Sequence, residues 1–330
     1  MKKQFYFYIK NLYKPNMLYD AYLRFAVERQ NIFFRRNVLH EKAPWTENSI
    51  LQNYKFTNAY RVNDRVSQFL ISHVIYGDNT SSYDANDIIF RILLFKIFNK
   101  IDTWQILENR IGDIRIYKNI FSEIEAVLND LSSKGNTIYS GAYIMPSGKS
   151  SFGFSRKYKN HIALLKLMFQ DKFAENVLRC KTMEQLYNLL LSYPMIGSFL
   201  AYQYATDINY SEVTDFSEME FVIPGPGAKS GIQKCFANLD FKVYTDVIKL
   251  IAENQEKEFE RLGLKFHFLP GRPLQLIDCQ NLFCEFDKYA RVAYPDAHSA
   301  SGRKRIKQRF KFNKKKINFM YPPKWHIHKS

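Results

Sequence analysis

LLLSYPMIGSFLAYQYA, residues 189–205, decides how this chain is read. Apolar residues up to Tyr193 recur at helical spacing, and from Ser198 they do so again. Between them Pro194-Met195-Ile196-Gly197 leaves room only for a tight turn. Proline fixes φ and removes a donor, and glycine lets another backbone approach closely. The second helix begins at Ser198 with unpaired N–H groups in its first turn, and such a terminus favours a phosphate. Two helices joined this way can hold a nucleic-acid backbone without reading its sequence.

Outward from the hairpin the pattern stays helical. It predicts helices over 16–40, from Glu47 to Ile75 with Thr46 as N-cap, and through 88–98 in a nearly all-apolar run. Further helices are predicted over 117–132, 161–179, 182–192, 196–206, 231–236, 241–261 and 274–293. Residues 134–160, with Gly135, Gly141, Gly148 and Gly153, read as a loop carrying one or two short strands over 137–145. FHFLPGRP (266–273) reads as a strand or extended turn. No fixed repeat and no β–α alternation appear, which excludes a solenoid and a doubly wound sheet. The expectation is a mainly α fold: two intimate helical lobes with a few short strands over 1–302, then a basic tail, 303–330.

At 330 residues, with 46% hydrophobic and 24% charged residues, the chain is globular and long enough to bury a large core. Of its 48 Lys and Arg, 11 fall in 301–330, a stretch with no Asp or Glu. That concentration, within a net charge of +16, predicts a polyanionic partner. Cys180, Cys235, Cys279 and Cys284 form no C-x-x-C pair, so a disulfide scaffold, a zinc site and a cluster are not expected. No apolar run reaches membrane length, and Lys10 and Lys14 interrupt any signal-peptide core. The expected setting is cytoplasmic, with no cofactor, no metal, no membrane and no protein partner inferred.

Two glycine-rich stretches imitate known loops. GAYIMPSGKS (141–150) ends in GKS, but a phosphate-binding P-loop needs its first glycine where Tyr143 stands. GPGAKSG (225–231) has the wrong spacing for a dinucleotide turn. It reads either as a turn whose N–H groups face an anion, with Gly225, Gly227 and Lys229 at a nucleic-acid backbone, or as a plain loop.

The hairpin resembles that of the helix-hairpin-helix DNA glycosylases, with Pro194, Ile196, Gly197 and Ala201 in register and Ser198 opening the second helix. Met195 replaces the usual first glycine and Leu200 the usual Thr or Ser. In that family an essential aspartate follows by a helix and a loop; Asp215 lies close to that spacing, and Asp207 falls nearer, inside the second helix. Phe199 occupies the place of the lysine in strand-cutting members, so the resemblance implies a monofunctional enzyme. PWTENSILQNYKF resembles the family segment whose glutamine enters the DNA stack, here Gln52. Longer runs, among them ILQNYKFTNAYRVNDRVSQ, RILLFKIFNKIDTW, FLAYQYATDINYS, FVIPGPGAKSGI and IDCQNLFCEFDKYAR, are similar to one narrower family. This is the alpha-glutamyl/putrescinyl-thymine pyrophosphorylases, also met as the helical domain beside 5-hydroxymethyl-deoxyuridine DNA kinases, a divergent branch of the glycosylase superfamily tied to hypermodified pyrimidines in phage DNA.

Two faces would serve such a base. On the predicted second helix Asn58, Arg61 and Arg65 align, with Asp64 beside Arg61. These groups line a base pocket in one reading and form a solvated face with an Arg61–Asp64 pair in the other. On the last helix Asp278, Asn281, Glu285 and Lys288 align, which suits a polar base substituent or else a surface Glu285–Lys288 pair. In the tail, RKRIKQRFKFNKKK (303–316) interleaves Phe310 and Phe312 with nine basic residues, Arg303, Lys304 and Arg305 first, which suits phosphate contact with base stacking.

The leading expectation is excision: a modified, hydroxymethylated or glucosylated, pyrimidine is flipped from duplex DNA and its N-glycosidic bond cut. The Asp215 carboxylate stabilises the sugar cation, and the setting is anti-phage defence. The alternative is a transferase attaching an amine or amino acid to an activated hydroxymethyl-pyrimidine. A third is a modified-DNA-binding module without catalysis.

Overall fold

Asn16 stands where the first helical pattern begins. In the computed structural model its side chain accepts the Leu18 N–H at 2.8 Å and caps α1 (Met17–Asn37). The structure describes residues 14–78, 80–236, 239, 243–297, 301–313 and 316–327. The early lysines of the N-terminal reading, up to Lys10, and Lys314 and Lys315 of the basic run lie outside the described residues.

After α1 come α2 (Ser49–Asn53), α3 (Arg65–Phe69), α4 (Ala85–Phe98), α5 (Ile101–Ile111), α6 (Ile120–Ser133) and α7 (Lys149–Phe152). Then follow α8 (Lys157–Gln170), α9 (Phe173–Arg179), α10 (Met183–Leu191), α11 (Ser198–Ile208), α12 (Pro226–Cys235), α13 (Tyr244–Arg261) and α14 (Leu276–Ala293). The fold is mainly α, as the periodicity predicts. The expected strands do not form: among the described residues only isolated bridges occur, Pro15 with Phe236, Tyr54 with Arg309 and Leu269 with Arg272.

The predicted helix from Glu47 to Ile75 is broken. Asn48, not Thr46, caps α2, accepting the Ile50 and Leu51 N–H groups. Tyr54 ends α2 in extended conformation, and a short 3-10 turn follows at Arg61–Asn63. Beyond α3 the chain widens into a π-helix, Leu70–Ile75, whose His73 and Val74 carbonyls accept hydrogen bonds from buried Arg91. That guanidinium removes the cost of leaving carbonyls unpaired in the core.

The chain forms two compact units. Unit one comprises the chain up to Asp64 and again Glu218–Ile317. Its hub is α14, which packs on α1, α2, α12 and α13. Tyr22 stacks on Phe283 at 4.1 Å, and Phe25 meets Phe286 edge-on. Unit two comprises Arg65–Ser217 and Asn318–His326. Its hub is α4, against which the π-helix, α5, α8, α9 and α11 pack. The tail therefore divides: Asn318–His326 joins unit two, where Gln68 exchanges two hydrogen bonds with Met320 and Trp325 packs on Tyr210.

Candidate functional site

In unit one, residues 54–64 leave helical geometry, so their backbone groups need partners from elsewhere. Those partners are charged. Arg29 of α1 donates from Nε to the Thr57 carbonyl at 3.0 Å and from Nη2 to the Phe56 carbonyl and Asn58 Oδ1. Glu285 of α14 accepts the Thr57 N–H at 3.0 Å and pairs with Lys288 at 2.7 Å. Lys288 lies 4.9 Å over the Phe56 ring. Asp64 accepts the Asn58 N–H through Oδ1 at 2.9 Å, while Asn58 donates its amide to the Asn63 carbonyl. The two predicted faces thus meet, though the first is an irregular segment and not a helix.

Asp64 forms no direct ion pair among the described residues. Burial pushes it up to about 7; the Asn58 N–H opposes that, Glu285 adds to it, and Arg29 and Arg61 lower it. Burial also lowers the Arg29 guanidinium from its usual value. Asp278 has a different task. It completes a capping box at the start of α14, accepting the Gln275 N–H through Oδ2 and the Arg61 N–H through Oδ1 at 2.7 Å. Burial raises it to about 6 despite those bonds. Asn281 accepts from Gln280 at 3.0 Å.

Gln52 is exposed on α2 and donates its amide to the Thr46 carbonyl at 2.6 Å. Arg65 opens α3 in unit two. The basic segment is anchored to unit one. Lys55 N–H donates to Gln308 and Phe310 N–H to Asn53, Arg309 lies 4.4 Å over Tyr54, and Arg36 sits over both Trp45 and Phe312. Ile306 is buried, while Arg303, Lys304, Arg305, Lys307, Arg309 and Lys311 are exposed.

In GPGAKSG the helix begins earlier than the sequence suggests. Gly225 is the N-cap of α12, and Gly227 and Gly231 are needed where α12 meets α14. A Cβ at Gly227 would lie 2.3 Å from Cys284 Sγ, and one at Gly231 2.1 Å from the Phe283 carbonyl oxygen. Lys229 is exposed. Spacing alone also missed a buried group: Asp287 of α14 takes hydrogen bonds from Ser230 and Arg291 and pairs with Lys234 at 2.9 Å. Burial would raise the Asp287 carboxyl, but those three partners hold it below its usual value. A cleft of about 810 Å³ lies along α1, bordered by Arg24, Glu28, Asn31, Glu47 and Tyr289.

In unit two the hairpin between α10 and α11 forms as the sequence suggests, with one difference. The left-handed residue is Met195, at φ 69°, while Gly197 caps α11 in extended conformation. Pro194 is half-buried and Ile196 buried; Gly197 and Ser198 are exposed. Asp207 is fully buried and pairs with Lys96 at 3.3 Å. Asp215 is 87% exposed, with Lys324 Nζ 3.9 Å away. Asn209 holds the loop before it, accepting from Thr214 and Phe216. Among the described residues no cluster of His, Cys, Asp and Glu could hold a metal, and no helix is long and apolar enough to cross a membrane.

Residues 16–299 match the family described as 5-hmdU DNA kinase, helical domain. A curated relative, the 5-hmdU DNA kinase of Bacillus phage SP10, is 28% identical over 288 residues, which cover 82% of this chain and 45% of that protein. The chain thus spans less than half the length of that relative. No solved structure matches. These likenesses overturn the excision reading, with its hydrolase chemistry and its defence setting: the relative is named for a kinase, which transfers a group and cuts no N-glycosidic bond. The role given to Asp215 at a sugar cation was tied to that reaction.

Proposed function

The chain belongs to the family of 5-hmdU DNA kinase helical domains, and we propose that it binds DNA carrying a 5-hydroxymethyl pyrimidine and serves group transfer at that hydroxymethyl substituent. The observation that carries the binding half is the anchored basic segment. Its backbone is pinned along Asn53–Lys55 while its cations stay in solvent, so they meet phosphates with little chain entropy left to lose. The hairpin of unit two supports the same partner, with exposed Gly197 and Ser198 at the N-terminus of α11. For the transfer half, a hydroxymethyl oxygen must lose its proton as it attacks. Asp64 offers a carboxyl raised to about 7, with one oxygen fixed by the Asn58 N–H and no ion pair among the described residues. The relative's name supports phosphate as the group transferred in that protein. Displacement of a phosphorylated hydroxymethyl group by an amine is a different step: the amine nitrogen attacks the methylene carbon, the C–O bond breaks, the phosphate leaves with that oxygen, and the proton lost is the amine's.

Nucleoside analysis tests this. Duplexes containing thymine or 5-hydroxymethyluracil are incubated with the protein and a nucleoside triphosphate, or are first phosphorylated at the hydroxymethyl group and offered an amine. The DNA is then digested and its nucleosides weighed. Tighter binding to the hydroxymethyl duplex with a mass gain confined to that nucleoside is the expected result. Equal affinity for both duplexes and no mass gain would end the proposal.

A further inference from the structure

Unit two carries a surface with no role so far. From Leu131 to Gln170 the chain has no Asp or Glu but six cations: Lys134, Lys149, Arg156, Lys157, Lys159 and Lys166. Lys134 and Lys159 are engaged by Asp130 and Glu125. Lys149 and Arg156 are exposed and form no ion pair among the described residues. They belong to a loop whose backbone is pinned at both ends. Ser140 N–H donates to the Phe98 carbonyl and its hydroxyl accepts from Asn99. Tyr143 stacks on Phe199 with its ring under Lys96 at 4.7 Å. Met145 is buried and meets the Tyr204 hydroxyl. Asn160 ties Ser147 to Phe154, donating to both carbonyls and accepting the Phe154 N–H. Met195 of the hairpin packs against Gly148, where a Cβ would lie 2.4 Å from its methyl group.

Within this pinned frame Ile144, between half-buried Tyr143 and buried Met145, stands 68% exposed, and Phe154 is 45% exposed. An aliphatic side chain held out on a fixed backbone, with two exposed cations five and twelve residues further along the same loop, matches what DNA-bending proteins insert between bases. Gln52, which sequence resemblance assigns to the stack, already donates its amide to the Thr46 carbonyl.

We propose that the 141–156 loop is a DNA-contacting element in which Ile144 enters a gap between stacked bases while Lys149 and Arg156 meet the flanking phosphates. This rests on the DNA-binding reading above. It adds a wedge in unit two that neither the motif nor the family likeness assigns. Charge complementarity selects DNA over a protein as occupant, since the stretch 131–170 carries no acidic residue and the two acids that reach its cations, Asp130 and Glu125, meet Lys134 and Lys159 and leave Lys149 and Arg156 to a partner.

The test uses the full chain and duplexes carrying 2-aminopurine, whose fluorescence rises when it unstacks, placed in turn at each position around a 5-hydroxymethyluracil. Affinity is followed by anisotropy across a salt series. Wild-type protein is expected to brighten the probe at one or two adjacent positions. Ile144→Ala should lose most of that rise while binding within about threefold of wild type, and Ile144→Phe should keep it. Lys149→Ala with Arg156→Ala should lower the slope of log K against log salt by about 1.8. All four side-chain changes are at exposed positions, and an unchanged unfolding midpoint checks the fold. If the wild type does not bind DNA, the DNA-binding reading fails and this inference with it. If it binds, but Ile144→Ala brightens the probe fully or the double variant keeps its salt slope, the inference alone fails. Variants that change sedimentation of the protein and not its DNA binding would make the loop a protein-docking surface, and would also overturn it.

Discussion

Asp64 and Asp287 are both carboxylates of unit one, and their surroundings push them in opposite directions. Asp64, held up to about 7, keeps its proton in the folded chain where the unfolded chain has lost it, since an unfolded aspartate titrates near about 3.9. Folding therefore takes up a proton between those values, and stability falls as pH rises from about 4 to about 7. Asp278, raised to about 6, adds a loss of the same sign over a narrower window. Asp64→Asn removes the first contribution, so its unfolding midpoint should gain on the wild type from pH 5 to about pH 7 and hold a constant lead above that. A constant difference from pH 5 to about pH 7 would count against the assignment. Asp287 is held low by Ser230, Arg291 and Lys234, with its side chain 1% exposed. Asp287→Ala leaves the Lys234 ammonium buried without its counter-charge and should cost about 3–5 kcal/mol in urea unfolding. A loss under about 1 kcal/mol would mean that water reaches the site in the folded state.

At the level of elements, α12 and α14 approach more closely than any side chain at Gly231 would permit. Gly231→Ala must move the Phe283 carbonyl, part of the α14 backbone, and should cost about 1–3 kcal/mol. Gly227→Ala meets the end of the Cys284 side chain, which can turn away, and should cost less. Equal losses would show that the α14 backbone yields as easily as a side chain. The sequence revealed the helices, the hairpin at 189–205 and the apolar run of α4, because these are written in local periodicity. It could not reveal what broke the helix after Asn53. Residues 54–60 are extended because Arg29, Asp64 and Glu285 satisfy their backbone groups, and two of those three lie far along the chain. Glu285 and Asp278 were picked out by spacing on one helix, and both do face residues 57–61. The glycines of 225–231 did not disclose their packing on α14, because glycine serves close helix packing and close ligand approach equally well. Met195 at a left-handed position carries no local signal at all; its side chain is accommodated by the bare Cα of Gly148.

For the whole molecule, the excess charge is organised by anchoring and is not free. Replacing Lys304, Arg305 and Lys307 with alanine should reduce the salt slope of DNA binding by about 0.9 for each side chain that meets a phosphate. An unchanged slope would mean that the segment faces away from DNA. The same molecule is threaded in an unusual order. The chain leaves unit one at Asp64 and returns to it only at Glu218, after most of unit two. During synthesis this becomes a matter of waiting. The rings of Tyr22 and Phe25 on α1 are made early, but Phe283 and Phe286, against which they pack, follow more than two hundred residues later. At about 5–20 residues per second that interval is on the order of ten seconds or more. Unit two has nearly all of its chain by Ser217 and can close first, while the opening helix of unit one stays on the ribosome with its aromatic face uncovered, a natural client for a holding chaperone.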